Sequence, residues 1–283
     1  MKAKQPFLKC NLWREELLYN IDFAFYTLTR HHFAKHFHNH FVIELVVEGE
    51  DLYYCRGNNY HATKNQIVLI NPGEIHTGNT IENIPLKYFS LYPDLTALQK
   101  VAEALSIHLP KDFVFKHSLS NDLHLARKFS AVFNAFLLND DPLHTHELFL
   151  DFMNTLFSQH CIRTMETVSM DSRATMLVDY IHHHYKDEIT LQNLASIVNL
   201  NPFHTVRIFK KAIGVSPYCY LVMTRAEKAK QLLRNGFKVE EAAMETGFYD
   251  SSHFYRIFRK MSGISPQSFR LCKSQYRTGS DTR

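Results

Sequence analysis

Histidine is concentrated where a few polar side chains could meet a ligand. Seven of the 18 histidines of this 283-residue chain fall between His31 and His76. Among them His38-x-His40-x-x-x-Glu44 is followed by Pro72-Gly73-Glu74-Ile75-His76. His38, His40, Val42 and Glu44 alternate, so on a strand their side chains share one face. Imidazoles and a carboxylate on one face can line a small-molecule pocket and fix a polar ligand through hydrogen bonds. His38, His40, Glu44 and His76 are therefore the candidate effector-binding residues, and no catalytic residue is assigned.

A second constellation is basic. Residues 172–283 hold 17 Lys and Arg against 9 Asp and Glu, a net +8, which leaves −4 for residues 1–171. A polyanion such as DNA is the partner attracted by such a segment. Within it, Arg207-Ile208-Phe209-Lys210-Lys211 recurs as Arg256-Ile257-Phe258-Arg259-Lys260. At the same offset of 49 residues, Gly214-Val215-Ser216-Pro217-x-x-Tyr220 recurs as Gly263-Ile264-Ser265-Pro266-x-x-Phe269. Two copies of one structural unit follow. On a helix, Phe203, Val206, Arg207 and Lys210 form one stripe, as do Ser252, Tyr255, Arg256 and Arg259. Each stripe suits a major groove, with Arg able to reach guanine edges or phosphates. One basic stripe alone reads as a solvated helix face; two capped copies reverse that preference.

The stripes require helices to carry them. Thr190 can cap a helix that turns Leu191, Leu194, Ala195 and Val198 inward; Asn199-Leu200 makes a turn, and Asn201 caps a second helix with Pro202 at its first position. In the second copy Val239, Ala242 and Ala243 precede Thr246-Gly247-Phe248, where Gly247 suits a left-handed turn and Asp250 caps the next helix. Thr205, Ile208 and Phe209, and Phe254, Ile257 and Phe258, form the inward faces. This is helix-turn-helix grammar, twice.

The histidines require strands. Phe41–Val47, Asp51–Cys55 and Gln66–Ile70 are β-branched or aromatic runs separated by turn residues, which predicts a small β-sandwich or barrel. After Asp94 the period changes. Phe129, Val132, Phe133, Phe136 and Leu137, then Leu148, Phe149, Phe152, Leu156 and Phe157 beyond Asp140-Asp141-Pro142, predict two amphipathic helices. Their aromatic stripes serve equally to cover the sheet or to join two copies of the chain. The polar segment 163–173 predicts a linker, which divides the fold, of α+β class, into a domain over 1–165 and a helical domain over 174–275, with 166–173 between and a tail at 276–283.

Composition excludes a collagen-like, low-complexity or mainly disordered chain: 45% is hydrophobic, 21% charged, with nine Gly and nine Pro. Lys9, Arg14, Glu15 and Glu16 interrupt the opening where a secretory leader needs an apolar run, and no later run nears the roughly 18 residues of a membrane span. A cytoplasmic location with no membrane association is expected. Five scattered cysteines without a CxxC pair predict reduced thiols.

At the quoted repeats the chain resembles the AraC/XylS family of bacterial transcription regulators. The motifs are Ile189-Thr190-Leu191-x-x-Leu194-Ala195, Arg207-x-Phe209-Lys210-Lys211-x-x-Gly214-x-Ser216-Pro217-x-x-Tyr220, Arg225-x-x-x-Ala229-x-x-Leu232-Leu233 and Gly247-Phe248-x-Asp250-x-Ser252-x-Phe254-x-Arg256-x-Phe258. The resemblance covers about a hundred residues. It implies a long helix from about Tyr218 to Arg234 that sets two recognition helices in successive major grooves, about 34 Å apart. It also implies DNA contacts from Pro202, Phe203, Val206, Arg207, Lys210, Ser251, Ser252, Tyr255, Arg256 and Arg259. A homodimer, promoter DNA, a small-molecule effector and RNA polymerase are the implied partners, and the activity is ligand-responsive transcription regulation, expected to be activation.

The histidine motif and the Pro-Gly-Glu-x-His turn resemble the two motifs of cupins, which implies a cupin-like β-barrel. In metal cupins two His, one Glu and a later His hold iron, manganese or zinc. Three uses of the histidines stay open: the lining of an effector pocket, which the clustering favours, bonding within the barrel, and a metal site. No cofactor is assigned. The alternative function is a metal-dependent cupin enzyme with a DNA-targeting domain.

Overall fold

The computed structural model describes residues 7–81, 84–110, 112–138, 140–163 and 171–271. Most of the expected linker 166–173 and the whole of the expected tail 276–283 lie outside the described residues. Packing divides the described residues into two units: one within 7–32 and 38–163, the other within 171–271 with the short segment 33–37. Hydrogen bonding places the strand of that segment in a sheet of the first unit.

The first unit is built on strands β1 (Phe7–Glu15), β2 (Ile21–Thr29), β3 (His32–His36), β4 (Val42–Glu48), β5 (Glu50–Cys55), β6 (Asn58–Thr63), β7 (Ile67–Ile70), β8 (His76–Asn79) and β9 (Leu86–Tyr92). Helix α1 (Leu95–Ala104), strands β10 (Phe113–Phe115) and β11 (Leu119–Ser120), helices α2 (Leu123–Leu137) and α3 (Pro142–His160) and strand β12 (Cys161–Arg163) complete it. One sheet has the order β1-β2-β9-β4-β7-β11 and a second the order β3-β8-β5-β6, with β10 and β12 paired separately.

Strand alternation sorts the six-stranded sheet into two faces. Phe23, Ile43, Leu45, Ile67, Leu69, Phe89 and Leu91 join Phe129, Val132, Phe133, Phe149, Phe152, Leu156 and Phe157 of α2 and α3 in one apolar core. Phe133 stacks on Phe89 at 3.9 Å between centroids, and Phe129 on Phe152 at 4.6 Å. The aromatic stripes of both helices thus cover the sheet, and those rings are not surface available for joining copies. The helix break falls where Asp141 accepts from Leu143 N–H and Pro142 opens α3. The opposite sheet face carries Tyr26, Val42, Glu44, Val46, Tyr88 and Ser90, with the pleat fixed by the pairs Ile43↔Leu91, Glu44↔Ser90 and Leu45↔Phe89.

The second unit is helical: α4 (Ser172–His184), α5 (Leu191–Ile197), α6 (Pro202–Ile213), α7 (Pro217–Arg234), α8 (Val239–Glu245), α9 (Ser251–Ser262) and α10 (Pro266–Leu271). The 49-residue sequence repeat is a repeat of elements, since α6 and α9 end at left-handed Gly214 and Gly263 and α7 and α10 both open on Pro. Helix α7 is the expected connector and packs against α4, α6, α8, α9 and α10. No helix among the described residues is long and apolar enough to cross a membrane.

Candidate functional site

The histidine motif is not strand throughout. Strand β4 begins only at Val42, and His38 and His40 lie in the irregular segment before it. Their alternation mimics a strand, but the backbone there bonds outward: the His38 carbonyl accepts from Gly73 N–H at 2.8 Å and Phe41 N–H donates to Pro93 O at 2.9 Å. The rings still converge. His38 stacks on His40 at 4.9 Å and meets His76 at 5.1 Å, and His40 meets the edge of Tyr92 at 5.3 Å.

The Pro-Gly-Glu-x-His turn positions His76 through Glu74. The Glu74 carboxylate accepts from Asn71 N–H and Asn71 Nδ2, both at 2.9 Å, and from Arg56 Nε at 2.7 Å. Asn71 Oδ1 in turn accepts from Phe115 N–H at 2.8 Å. Glu74 is thus fully occupied in shaping the turn, which delivers His76 buried against Cys55 of β5.

Glu44 stands apart from the rings, one strand pair away, where Ser90 Oγ donates to its carboxylate at 3.4 Å. Loss of solvation and the neighbouring Asp51 hold the Glu44 carboxyl well above the usual carboxylate range. Burial likewise pushes Asp51 up to about 7, against the lowering effect of Asn79 N–H, which donates to Asp51 Oδ1 at 3.0 Å. Burial also raises the phenols of Tyr26, Tyr88 and Tyr92, so all three are neutral hydrogen-bonding groups near pH 7. Buried Asp51 with half-buried Glu44, three phenols and a cluster of imidazoles suit a polar ligand bound by many hydrogen bonds. Asp51, Tyr88, Ser90 and Tyr92 escape the sequence reading because each reaches the site through a long-range strand pair. His36 escapes it too, although His36-x-His38-x-His40 extends the same alternation.

The caps and outer faces of α6 and α9 follow the sequence repeat. Thr190 caps α5 in a capping box with Asn193; Asn201 Oδ1 accepts from His204 N–H at 2.9 Å to open α6. Asp250 accepts from Ser252 N–H at 2.9 Å to open α9. Thr205, Phe209, Phe254 and Phe258 are fully buried, while Ile208 and Ile257 are half-buried. On the outer faces Phe203, Arg207, Lys210, Ser251, Ser252, Arg256 and Arg259 are exposed, and Phe203 is 73% exposed, its ring tilted against that of His204 at 6.1 Å between centroids. Pro202, Val206 and Tyr255 are half-buried; Val206 lines an apolar hollow with Leu191, Leu194 and Tyr218. Arg225 ties α7 to the segment that follows α4, donating from Nε to Tyr185 O at 2.7 Å and from a terminal nitrogen to Asp187 O at 2.8 Å.

Residues 18–153 match the family description AraC-like ligand binding domain, and residues 194–271 match Helix-turn-helix domain. Over 235 residues the chain is 27% identical to the HTH-type transcriptional regulator YbfI of Bacillus subtilis, covering 78% of this chain and 81% of that one. It is 27% identical over 247 residues to the HTH-type transcriptional activator RhaS of Escherichia coli, covering 84% and 87%. The fold is that of apo ToxT from Vibrio cholerae, with a TM-score of 0.55 over 95% of this chain and 98% of that one, at 13% identity.

Proposed function

Because this chain belongs to the AraC family of transcriptional regulators, matched at its ligand-binding and helix-turn-helix domains alike, we propose that effector occupancy of the sheet domain controls how its two DNA-reading units engage a promoter. The chain is a ligand-responsive DNA-binding regulator. The observation that carries the DNA assignment is the duplicated unit, in which two capped twelve-residue helices present basic outer faces and are joined by α7.

Arg207 and Arg256 read base edges; Lys210 and Arg259 bind phosphate; Pro202, Phe203, Val206, Ser251, Ser252 and Tyr255 complete the contact stripes. His38, His40, Glu44 and His76 bind the effector, with residues 1–165 as the sensing domain and 174–275 as the DNA-binding domain. The effector acts by population shift, limited by its differential affinity for the two states. Activation, contact with RNA polymerase, a homodimer and a cytoplasmic location complete the reading, and no catalysis is involved. With the aromatic stripes of α2 and α3 in the core, the exposed Leu137, Leu138 and Leu143 at their junction are apolar side chains available for dimer contact.

The test is selection of DNA by the full chain from a random pool. An enriched motif of two blocks one helical turn apart supports the reading, and a retained pool no different from the input refutes it.

A further inference from the structure

The sheet domain holds two carboxylates and gives them no cation. Glu44 on β4 and Asp51 on β5 belong to different sheets, close enough for their charges to oppose each other. Among the described residues their side chains are bonded by Ser90 Oγ and Asn79 N–H alone, and neither has a Lys, Arg or His partner. We propose that the two together bind an organic ammonium ion, the protonated amine of a small-molecule effector. The proposal deepens the effector reading of this pocket and rests on it for its regulatory meaning.

Each acid has one oxygen engaged and one open. Asn79 N–H reaches Asp51 Oδ1 at 3.0 Å, and Ser90 Oγ reaches Glu44 Oε2 at 3.4 Å. Asp51 Oδ2 and Glu44 Oε1 are left without a donor among the described residues. Asp51 is only 6% exposed, so bulk water does little to replace one. A buried acceptor without a donor is costly, and a buried charge without a counter-charge more so. Both acids accordingly hold their protons above the usual carboxylate range. The titratable groups around the pair are the phenols of Tyr26, Tyr53, Tyr88 and Tyr92 and the Cys10 thiol. None of these can carry a positive charge, so the compensating cation is left to a ligand.

Strand register builds an aromatic wall beside the pair. Ser90 lies opposite Glu44, and Tyr88 and Tyr92, two residues to either side of Ser90, flank Glu44 on the same sheet face. Tyr26 lies opposite Tyr88 and stacks on it at 4.9 Å between centroids. Glu44, Tyr26 and Tyr92 are half-buried, so this face keeps surface open to a ligand. The face of a phenol ring attracts a cation, most strongly where water is excluded.

The open oxygens select the kind of cation. A guanidinium fork prefers both oxygens of one carboxylate, and here each acid offers one. A primary ammonium carries three N–H donors on one nitrogen, which suits two separate carboxylate oxygens and a hydroxyl. A metal ion needs more, and among the described residues no His, Cys, Asp or Glu joins Glu44 and Asp51 in a group that could hold one. A neutral polyol can hydrogen-bond to both carboxyls but leaves them protonated, and that difference is measurable.

The experiment is titration of the full-length chain near pH 7 with butylamine and benzylamine, each against its alcohol isostere, and with xylitol. Binding is read from the thermal transition of Trp13 fluorescence in β1, and carboxyl protonation from infrared difference spectra. Both amines should raise the transition and diminish the protonated-carboxyl band, and the alcohols should do neither. Calorimetry in buffers of different ionisation enthalpy should show protons released on amine binding. Glu44→Gln and Asp51→Asn should each weaken amine binding at least tenfold, and Glu103→Gln, exposed on α1, should leave it unchanged. No amine binding, amines that bind no better than their alcohols, or amine affinity kept in both pocket variants overturns the proposal. Should Asp51→Asn unfold, half-buried Glu44→Gln decides: folded by circular dichroism with parental amine affinity, it overturns the site. DNA affinity measured on the same samples separates the two readings. DNA binding shifted by xylitol, with no amine bound, removes the cation and keeps the effector pocket. Amine binding that moves DNA affinity at least threefold supports both; amine binding that leaves it unmoved keeps the cation site and removes its regulatory role.

Discussion

Gly247→Ala should destabilise the helical domain well beyond what its backbone conformation alone requires. Gly247 has φ +82°, and a Cβ there would stand 2.8 Å from Lys186 O and 3.0 Å from Arg225 Nε. The left-handed conformation costs a non-glycine residue about 1–2 kcal/mol. Relieving the contact must displace Arg225, whose loss of one charged hydrogen bond to the 185–187 backbone costs about 1.5–3 kcal/mol. Gly214→Ala supplies the control, since Gly214 has φ +89° but nothing within 4 Å of an added Cβ. The difference between the two substitutions isolates the contact, at about 1.5–3 kcal/mol. For a domain of about 100 residues that is a further drop in Tm of at least about 6 °C. Thermal unfolding of the full chain followed at 222 nm is weighted toward the helices, while fluorescence of the single tryptophan, Trp13 in β1, monitors the sheet domain and should not move. Equal shifts for the two alanine variants would refute the claim that the turn is closed by Arg225 and Lys186.

Three further outcomes follow from the geometry. For Asp51, raised from 3.8 to about 7, the folded chain holds a proton between pH 4 and 7 that the unfolded chain has lost, so stability falls as pH rises through that window and levels above it; Asp51→Asn should flatten the slope in urea titrations at pH 4.5 and 7.5, by up to about 3 kcal/mol, and an unchanged slope would assign the titration elsewhere. Arg207→Ala and Arg256→Ala should each weaken specific DNA binding by about 1–3 kcal/mol in fluorescence anisotropy if they read bases; equal weakening on scrambled DNA, with a flatter salt dependence, would reassign them to phosphate. Lys230 and Glu227 form a 2.5 Å ion pair with side chains 7% and 3% exposed; Lys230→Met should cost about 3–5 kcal/mol by leaving Glu227 without that cation, and Lys230→Met with Glu227→Gln should recover most of it, so a double variant as unstable as the single would contradict the argument.

Legibility followed sequence separation. The helical domain could be read almost element by element, because Thr190, Asn201 and Asp250 are local caps and the 49-residue repeat states the pattern twice. Strands β4, β5 and β7 were legible from their apolar runs, but β1 was not: Lys9, Asn11 and Arg14 give it the composition of a solvated segment, and it is the edge of its sheet. The histidines were legible as a group and misread in detail, since His38 and His40 hold a strand's alternation in a segment bonded to Gly73 and Pro93. Glu44 and Asp51 form their pair only once β4 and β5 have folded onto opposite sheets. Nothing within a few residues of either carboxylate encodes the other.

Helix α7 has a consequence for the DNA and not only for the protein. Its 18 residues span about 27 Å, it holds no glycine, its proline is confined to the first turn, and a buried ion pair stiffens its middle. A connector with no joint acts as a ruler. With about 10–10.5 base pairs per turn, five base pairs inserted between the two recognised blocks would carry the second to the far side of the duplex, where α9 cannot follow while α6 stays seated. Small insertions and deletions in that spacer should therefore silence a target more thoroughly than any base substitution within it, and the length of the gap, rather than its letters, is what a promoter must preserve.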